Sequence, residues 1–498
     1  MNALLQTSKA RLIRAACLAA SMAVSSSFLP ASVAAQDAPP GVTPERIRKL
    51  EESVNLLQEQ NRRLQRRVDE LESRKPESVP AGTSPQTATS GQVVSNPPPA
   101  KVDNEVRLFW KDGLSFETKD KKTFKGKLGG RVQLDGAAFS ENDDVSAVPG
   151  IGDIPAGAEF RRVRLALEGE YAASVPGFYK VELDFAEADV AYKDVYLGLA
   201  EIPVVGKIQA GHFKEPSSLD GLISSRFLTF MERATPVEAF WPERNTGILI
   251  GNAAFNNRAT WAVGGFTSTE LRAGVDGGQP LDSDYRVVGR MTGLPFYDAE
   301  SKGARLLHLG VSGSLVGPEN GQVRFRSRPE AHLAPRFVDT GVINADHHYM
   351  LAAETAFVCG PFSLQGEYFH NWVDRTGASA AEFSGYYVAG SWFLTGEHRN
   401  YKTSSGVFDR ISPKQNLSFD EGGFGAWELA VRYSHLDLND AGITGGRLDD
   451  ITSGLNWYLN PNMKVQFNYI YSLLDRTVSG VNHDGNAHIF ETRLHVDF

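Results

Sequence analysis

The sequence predicts an all-β fold, a transmembrane antiparallel β-barrel of about 16 strands, preceded by a short α-helical coiled coil. In most of the chain, apolar and polar residues alternate in segments of about ten residues separated by turn residues, which is typical of membrane barrels. The N-terminus resembles an export signal. The last segment, "AHIFETRLHVDF", places Phe490, Leu494 and Phe498 on one face and Arg493 and Asp497 on the other. We therefore expect a final strand between lipid and water.

Composition argues against a helical membrane protein and against a nucleic-acid-binding protein. The 498 residues are 41% hydrophobic and 10% aromatic, with 48 glycines. After the N-terminus, no segment approaches the roughly 20 uninterrupted apolar residues of a membrane-spanning helix. The net charge of −9 argues against nucleic acid as a partner, because phosphate binding needs a large basic surface.

Residues 1–35 predict a signal peptide. Three basic residues precede an apolar core, and "VAA" follows as a small-residue cleavage site, so we expect the mature chain to begin at Gln36. Cleavage would remove Cys17, whose position before most of the apolar core is the wrong order for a lipid attachment site. Cys359 then remains alone, and we expect no internal disulfide.

After a spacer at residues 36–43, residues 44–74 have the heptad pattern of a coiled coil. The core positions are Ile47, Leu50, Val54, Leu57, Asn61, Leu64, Val68 and Leu71. The alternative is a lone amphipathic helix packed on a domain. Asn61 favours two strands, whereas "RIRKLE" and "RVDELE" resemble short trimeric coiled coils, and we favour three. Residues 75–104 are rich in Pro, Ser and Thr and predict a flexible linker.

Residues 105–498 predict the barrel. In "AWELAVRYSHLDL", for example, Trp427, Leu429 and Val431 alternate with Glu428 and Arg432. A soluble sandwich would also alternate, but aromatic residues at the ends of the apolar rows, the export signal and the terminal Phe favour a membrane barrel. The predicted strands are 126–139, 160–172, 177–186, 191–201, 205–213, 246–255, 258–267, 284–293, 304–316, 347–358, 362–373, 383–395, 425–438, 449–459, 463–474 and 487–498.

With an even number of strands, the barrel segment of the chain begins and ends on the periplasmic side, where short turns are expected. The segment 396–424 is too long for that rule. It predicts either a structured periplasmic insertion or a hidden hairpin, which would give eighteen strands.

The connection from Lys214 to Asn245 is long and rich in aromatic residues, so we expect it to fold into the lumen as a constriction loop. The alternative is a lid on the outer rim or on a neighbouring subunit. Its cations are Lys214, Arg226, Arg233 and Arg244, with carboxylates interspersed. Arg162 and Arg164 are the predicted inward-facing arginines of "FRRVRLALEGE".

A second candidate for the anion pathway is "VRFRSRPEAHLAPR". Arg324, Arg326 and Arg328 alternate, so an extended chain projects all three to one side, about 7 Å apart. Such a ladder would favour phosphate-like anions. The alternative is a rim patch that binds the anionic sugars of outer-membrane lipid.

The chain from about residue 105 to Phe498 resembles the phosphate-selective porin O and P family of bacterial outer membranes. The resembling segments are "GHFKEP", "SSRFLTFMER", "RFRSRPEAHL", "SWFLTGEHRNY", "GAWELAVRYSHLDL" and "GLNWYLNPN". The resemblance implies a sixteen-stranded barrel, a homotrimer in the bacterial outer membrane, and passive diffusion of small anions, phosphate or similar. It implies a lumen whose arginine ladder and lysine cluster bind phosphate, with Arg324, Arg326 and Arg328 as the ladder.

Other functions have less support from the sequence. No segment shows a nucleophile motif, and His347 and His348, expected in a loop, lack partners for catalysis or for a metal site. We therefore expect no enzyme and no cofactor. Alternatives to an anion porin are a porin for another small solute, or a structural tether that contacts the periplasm through the coiled coil.

Overall fold

The computed structural model describes residues 105–111, 113–120, 123–172, 174–186, 190–267, 285–318 and 321–498. The predicted signal peptide, coiled coil and linker lie outside these residues. The strands are β1 (Val106–Trp110), β2 (Leu114–Thr118), β3 (Phe124–Glu141), β4 (Gly157–Tyr171), β5 (Gly177–Asp184), β6 (Ala191–Ile202), β7 (Gly206–Lys214), β8 (Arg244–Ala254), β9 (Ala259–Thr267), β10 (Tyr285–Tyr297), β11 (Arg305–Gly317), β12 (Gln322–Val323), β13 (Arg326–Ser327), β14 (Val338–Asp339), β15 (Ile343–Cys359), β16 (Phe362–Arg375), β17 (Ala381–Phe393), β18 (Tyr401–Lys402), β19 (Val407–Phe408), β20 (Ala426–Asp440), β21 (Ile443–Asn460), β22 (Met463–Val478) and β23 (Val481–Asp497).

Sixteen of these strands form a closed antiparallel barrel, namely β3–β11, β15–β17 and β20–β23. Each pairs with the next, and β23 pairs with β3 to close the ring. All sixteen predicted strands are confirmed, and their predicted ends differ from those in the structure by at most six residues. None of the helices in the described ranges is long and apolar enough to cross a membrane.

The two faces of the barrel differ as predicted. Outward-facing Leu197 and Ile248 are 64% and 60% exposed, whereas inward-facing Arg493 is 0% exposed. Near the end of the barrel where β3 begins and β23 ends, here called the base, the outward rings of Trp427 and Trp457 stack at 5.0 Å. The exterior therefore suits lipid, and the polar side chains line the lumen.

The sequence did not predict the hairpin of β1 and β2. It pairs with the first residues of β3, where Leu114 lies opposite Leu128. β23 pairs with the rest of β3, and the carbonyl oxygen of Phe498 accepts a hydrogen bond from Gly130 N–H at 2.8 Å. The long strand β3 therefore closes the barrel and extends it below the C-terminus.

Long connections fill one side of the lumen. The connection between β7 and β8, here called loop 3 (residues 215–243), contains the short helices α2 (Leu219–Leu222) and α3 (Thr235–Phe240). The connection between β11 and β15, here called loop 5 (residues 318–342), contains β12, β13 and β14. A short helix α1 (Asp143–Ser146) lies between β3 and β4. Residues of these loops pack against the inner faces of β15–β22 in one apolar cluster that includes Val237, Phe240, Phe325, Phe337, Phe369, Phe383 and Leu436.

The segment between β17 and β20 also enters the lumen. Tyr401 Oη lies 2.6 Å from His308 Nδ1 on the inner wall, and Arg290 donates to the Gly406 carbonyl at 2.9 Å. Its only strands, β18 and β19, have two residues each. The segment is therefore a structured insertion, here called the base insertion (residues 394–425), and the eighteen-strand alternative is wrong.

Candidate functional site

Loop 3 is hydrogen-bonded to the inner wall at several separate strands. The carboxylate of Glu367 on β16 accepts from the backbone N–H groups of Leu219 and Asp220 at 2.8 and 2.7 Å. Lys464 on β22 donates to the Leu228 carbonyl at 2.9 Å. These contacts satisfy backbone groups that would otherwise be buried without partners. They hold loop 3 across the lumen, where the sequence analysis expected it.

The carboxylate of Glu232 is the main ionic anchor of loop 3. It accepts from Arg161 Nε at 2.9 Å and from Arg493 Nη2 at 2.8 Å, and it lies 3.5 Å from Arg162 Nη2. Burial raises the pKa of Glu232, but the three arginines outweigh burial and hold that pKa well below its usual range. Glu232 is therefore an anion that fixes the loop to β4 and β23.

Cationic side chains converge where loop 3 meets β3–β8. They line a cavity of about 170 Å³, here called the arginine cavity. Its eight cations are Arg131, Arg162, Arg164, Lys180, Lys214, Arg226, Arg233 and Arg244, and its two carboxylates are Asp194 and Glu243.

Six of the nine candidate residues from the sequence meet here: Arg162, Arg164, Lys214, Arg226, Arg233 and Arg244. Arg131 and Lys180 were not among the candidates from the sequence. Both could have been found from the sequence, because polar residues two positions away mark the inward face of a strand. Gln133 and Asp135 mark it for Arg131, and Glu182 marks it for Lys180.

Acidic wall residues neutralise part of this charge. The ion pairs are Arg131–Glu182 at 2.7 Å, Arg164–Glu182 at 3.0 Å, Arg164–Asp184 at 2.6 Å, Arg244–Asp194 at 2.7 Å and Lys180–Asp194 at 3.0 Å. These pairs orient the cations, and they also reduce the net charge that a solute meets.

Lys214 and Arg233 differ from their neighbours. Lys214 Nζ donates to the carbonyls of Gly221 and Ile223 at 2.7 and 3.0 Å, and Arg233 Nη2 donates to the Gly221 carbonyl at 3.0 Å. Both lie over the Trp241 ring, 5.3 and 4.9 Å from its centroid. Within the described residues, neither forms an ion pair with a carboxylate. They are therefore held by carbonyl and ring contacts instead of by ion pairs.

The three arginines of the predicted ladder lie elsewhere, on loop 5. Arg324 pairs with Asp339, with Nε and Oδ1 2.7 Å apart, and Arg328 pairs with Glu238 at 3.0 Å, while Arg326 is exposed. Between them, Phe325 is buried in the apolar cluster of the loops. The alternation of faces is thus present, but the structure does not place these arginines in the arginine cavity.

A larger cavity of about 890 Å³, here called the basal chamber, lies between loop 3, the base insertion and the wall of β6–β10. It shares Asp194, Lys214, Leu222, Ser224 and Arg226 with the arginine cavity. The two cavities therefore adjoin.

The histidines at 347 and 348 are on β15 and not in a loop, so that prediction is wrong. His347 Nε2 faces outward and lies 2.9 Å from Tyr285 Oη, whereas His348 is buried. Among the described residues, no group of three or more His, Cys, Asp or Glu side chains is arranged to hold a metal ion.

Comparisons with known proteins agree with this architecture. The model of a family described as phosphate-selective porin O and P matches residues 127–498. An uncharacterized protein of Caulobacter vibrioides is 29% identical, over 97% of this chain and 96% of its own length. Porin O of Pseudomonas aeruginosa is 26% identical, over 79% of this chain and 93% of its own length.

Two solved porins align with about three quarters of this chain. The anion-selective porin of Comamonas acidovorans has a TM-score of 0.47 at 12% identity, covering 75% of this chain and 100% of that porin. The outer-membrane channel DcaP of Acinetobacter baumannii has a TM-score of 0.44 at 12% identity, covering 76% of this chain and 99% of the channel.

Proposed function

Since the chain belongs to the phosphate-selective porin O and P family and is a porin of the bacterial outer membrane, we propose that its lumen gives passive diffusion to small anions, phosphate or similar. The arginine cavity is the selective part of the path. Its eight cations, which line about 170 Å³, outnumber the six carboxylates beside them. These are Asp194 and Glu243 in the lining, and Glu182, Asp184, Glu232 and Asp497, which pair with the cations. A narrow passage with such an excess attracts anions and repels cations.

Lys214 and Arg233, which form no ion pair with a carboxylate within the described residues, support the proposal most directly. A carbonyl partner offsets less of a cation's positive field than a paired carboxylate does. Both are also held rigidly by the loop carbonyls and the Trp241 ring. A passing anion can therefore replace water at these groups without reorganising the wall.

Loop 5 forms the outer part of the same path. Arg324, Arg326 and Arg328 raise the local anion concentration before the solute reaches the arginine cavity, because exposed charges act at long range when salt is low. The preference for phosphate rests on the forked guanidinium groups, which match tetrahedral oxyanions. The homotrimer is likewise proposed from the resemblance to the family.

A planar-bilayer measurement with the purified full chain tests the proposal. In a potassium chloride gradient, we expect a reversal potential that favours chloride, and added phosphate should reduce the chloride current. Changing Lys214→Gln and Arg233→Gln together should lower the chloride preference severalfold, since amides keep hydrogen bonding to the loop but lose the charge.

The matched control is Arg447→Gln, which removes an exposed cation that pairs with Asp475 at 2.6 Å outside the arginine cavity. It should leave the reversal potential unchanged. A double variant with the native chloride preference would contradict the assignment of selectivity to the arginine cavity.

A further inference from the structure

One part of the inner wall is apolar. Tyr196, Phe213, Leu249, Ala262, Phe266 and Val288 form a continuous cluster on the inner faces of β6–β10, here called the apolar strip. Alternation predicts polar residues at inward positions of a water-filled barrel. Six inward-facing apolar residues on neighbouring strands are therefore an exception that needs its own explanation.

The rings of the apolar strip are ordered across neighbouring strands. Phe178 packs edge-on to Tyr196 with centroids 6.1 Å apart, Tyr196 to Phe213 at 5.9 Å, and Phe213 to Phe266 at 5.4 Å. Edge-to-face contacts at these distances are favourable, so the rings hold one another in place. Phe213 and Phe266 are buried, while Tyr196 is half-buried.

The members of the strip come from the barrel wall alone. All six members lie on barrel strands, in contrast to the apolar cluster on the other side of the lumen, which includes residues of loops 3 and 5. Tyr196, Phe213, Leu249 and Ala262 also line the basal chamber. The strip therefore faces a space of about 890 Å³ that adjoins the arginine cavity.

Two members of the strip lie close to residues that line the arginine cavity. Tyr196 is two residues from Asp194 on β6, which corresponds to about 7 Å along the strand, and Phe213 precedes Lys214 on β7. Lys214 and Tyr196 both line the basal chamber, so a molecule whose anionic group binds beside Lys214 can extend to the Tyr196 ring. A small inorganic anion would not reach the ring.

We infer that the basal chamber binds organic anions in which an oxyanion group is attached to a flat ring, with the oxyanion beside Lys214 and the ring against Tyr196. The inference rests on the proposed anion pathway and adds a preference for a class of solute. The ring gains contact with Tyr196 while the oxyanion keeps the cationic partners that inorganic phosphate would use.

Two probes with the same anionic group test it. Methyl phosphate and phenyl phosphate are titrated against the chloride current of the purified full chain in a planar bilayer. A ring contact of ordinary strength should make phenyl phosphate block at about threefold to tenfold lower concentration than methyl phosphate. Tyr196→Ala should abolish this difference and leave block by methyl phosphate unchanged.

Two further variants keep the result interpretable. Tyr196→Leu keeps an apolar side chain but removes the ring, and it should also abolish the difference between the two probes. It replaces Tyr196→Ala if that variant assembles poorly. Leu197→Ala, at the neighbouring outward-facing position, should behave as the native chain. Equal block by the two probes in the native chain would overturn the inference alone, whereas no block by methyl phosphate would overturn the proposed anion pathway.

Discussion

Arg410 in the base insertion and Asp497 in the last strand form a two-point ion pair, with Arg410 Nη1 2.9 Å from Asp497 Oδ1 and Nη2 bonded to Oδ2. The same guanidinium lies 5.1 Å from the centroid of the Phe227 ring of loop 3. Arg226 lies 5.2 Å from that centroid. The base insertion therefore contacts both the barrel wall and loop 3.

We predict that Arg410→Ala releases the base insertion. The Asp497 side chain is 2% exposed, so its carboxylate would lose its main partner in a buried position, which costs about 3–5 kcal/mol. The barrel should unfold at a lower temperature. Single-channel conductance should rise, because the base insertion that lines the basal chamber is free to move. Thermal unfolding in detergent and single-channel recording measure the two effects.

Lys414→Gln is the control for this prediction, because Lys414 lies in the same insertion but its exposed Nζ bonds only to the Gly396 carbonyl, at 2.6 Å. It should leave both quantities close to native. A native conductance for Arg410→Ala would mean that the base insertion does not limit the current.

Anchoring of loop 3 by Glu232 should resist acid. The folded pKa of Glu232 is lowered, so its stabilising contribution is complete above the unfolded pKa of about 4.3 and is lost only as pH falls through the folded value. Current fluctuations of the native channel should therefore be the same at pH 7 and at about pH 5. Glu232→Gln should increase these fluctuations at both pH values, since an amide cannot hold three arginines equally well.

A native channel that becomes noisier at about pH 5 would show that another group holds loop 3. Limited trypsin digestion gives an independent measurement, because Arg233 follows the anchor directly. We expect cleavage there to be faster in Glu232→Gln than in the native chain.

The barrel was predictable because lipid on one side and water on the other impose a two-residue alternation on most of each strand. Trp427 and Glu428, for example, face opposite sides in the sequence pattern and in the structure. The position of Lys214, Arg233 and Arg244 in the lumen could also be predicted. They belong to a long loop rich in aromatic residues, and folding into the lumen buries its rings.

The ion pairs across the lumen were not predictable from spacing. Glu232 and Arg493 are 261 positions apart in the sequence, and nothing local relates them. The partner of Arg324, Asp339, lies 15 positions away on the return segment of loop 5. Such pairs depend on how loops fold inside a closed barrel, and a single sequence gives only the parity of each strand.

The arginines of loop 5 should act at low ionic strength. Changing Arg324, Arg326 and Arg328 together to Ala should reduce chloride preference at about 0.05 M salt, and much less at about 1 M, where the Debye length falls to about 3 Å. Arg324 pairs with Asp339 and is half exposed, so its charge is partly neutralised and strongly screened. Reversal potentials at the two salt concentrations measure the effect.

Arg375→Gln removes another exposed cation at the same end of the barrel, where Arg375 donates to the Ser379 and Ala441 carbonyls, and it is the control. It should have little effect at either salt concentration. If the triple variant keeps native selectivity at low salt, the ladder on loop 5 has no part in the anion pathway.

Barrel closure should depend on the small size of Gly130. A Cβ atom there would lie 2.6 Å from the Arg164 carbonyl oxygen and 2.8 Å from the Phe498 ring, so Gly130→Val must displace backbone at the junction of β3, β4 and the C-terminus. Overpacking of this kind costs about 1–3 kcal/mol. The fraction of protein that migrates as a folded barrel in unheated gels should fall.

Gly136→Ala lies on the same strand, where the nearest atom, Thr492 Cγ2, is 3.6 Å away, and it should assemble normally. Normal assembly of Gly130→Val would show that the terminal strand tolerates displacement without losing its pairing.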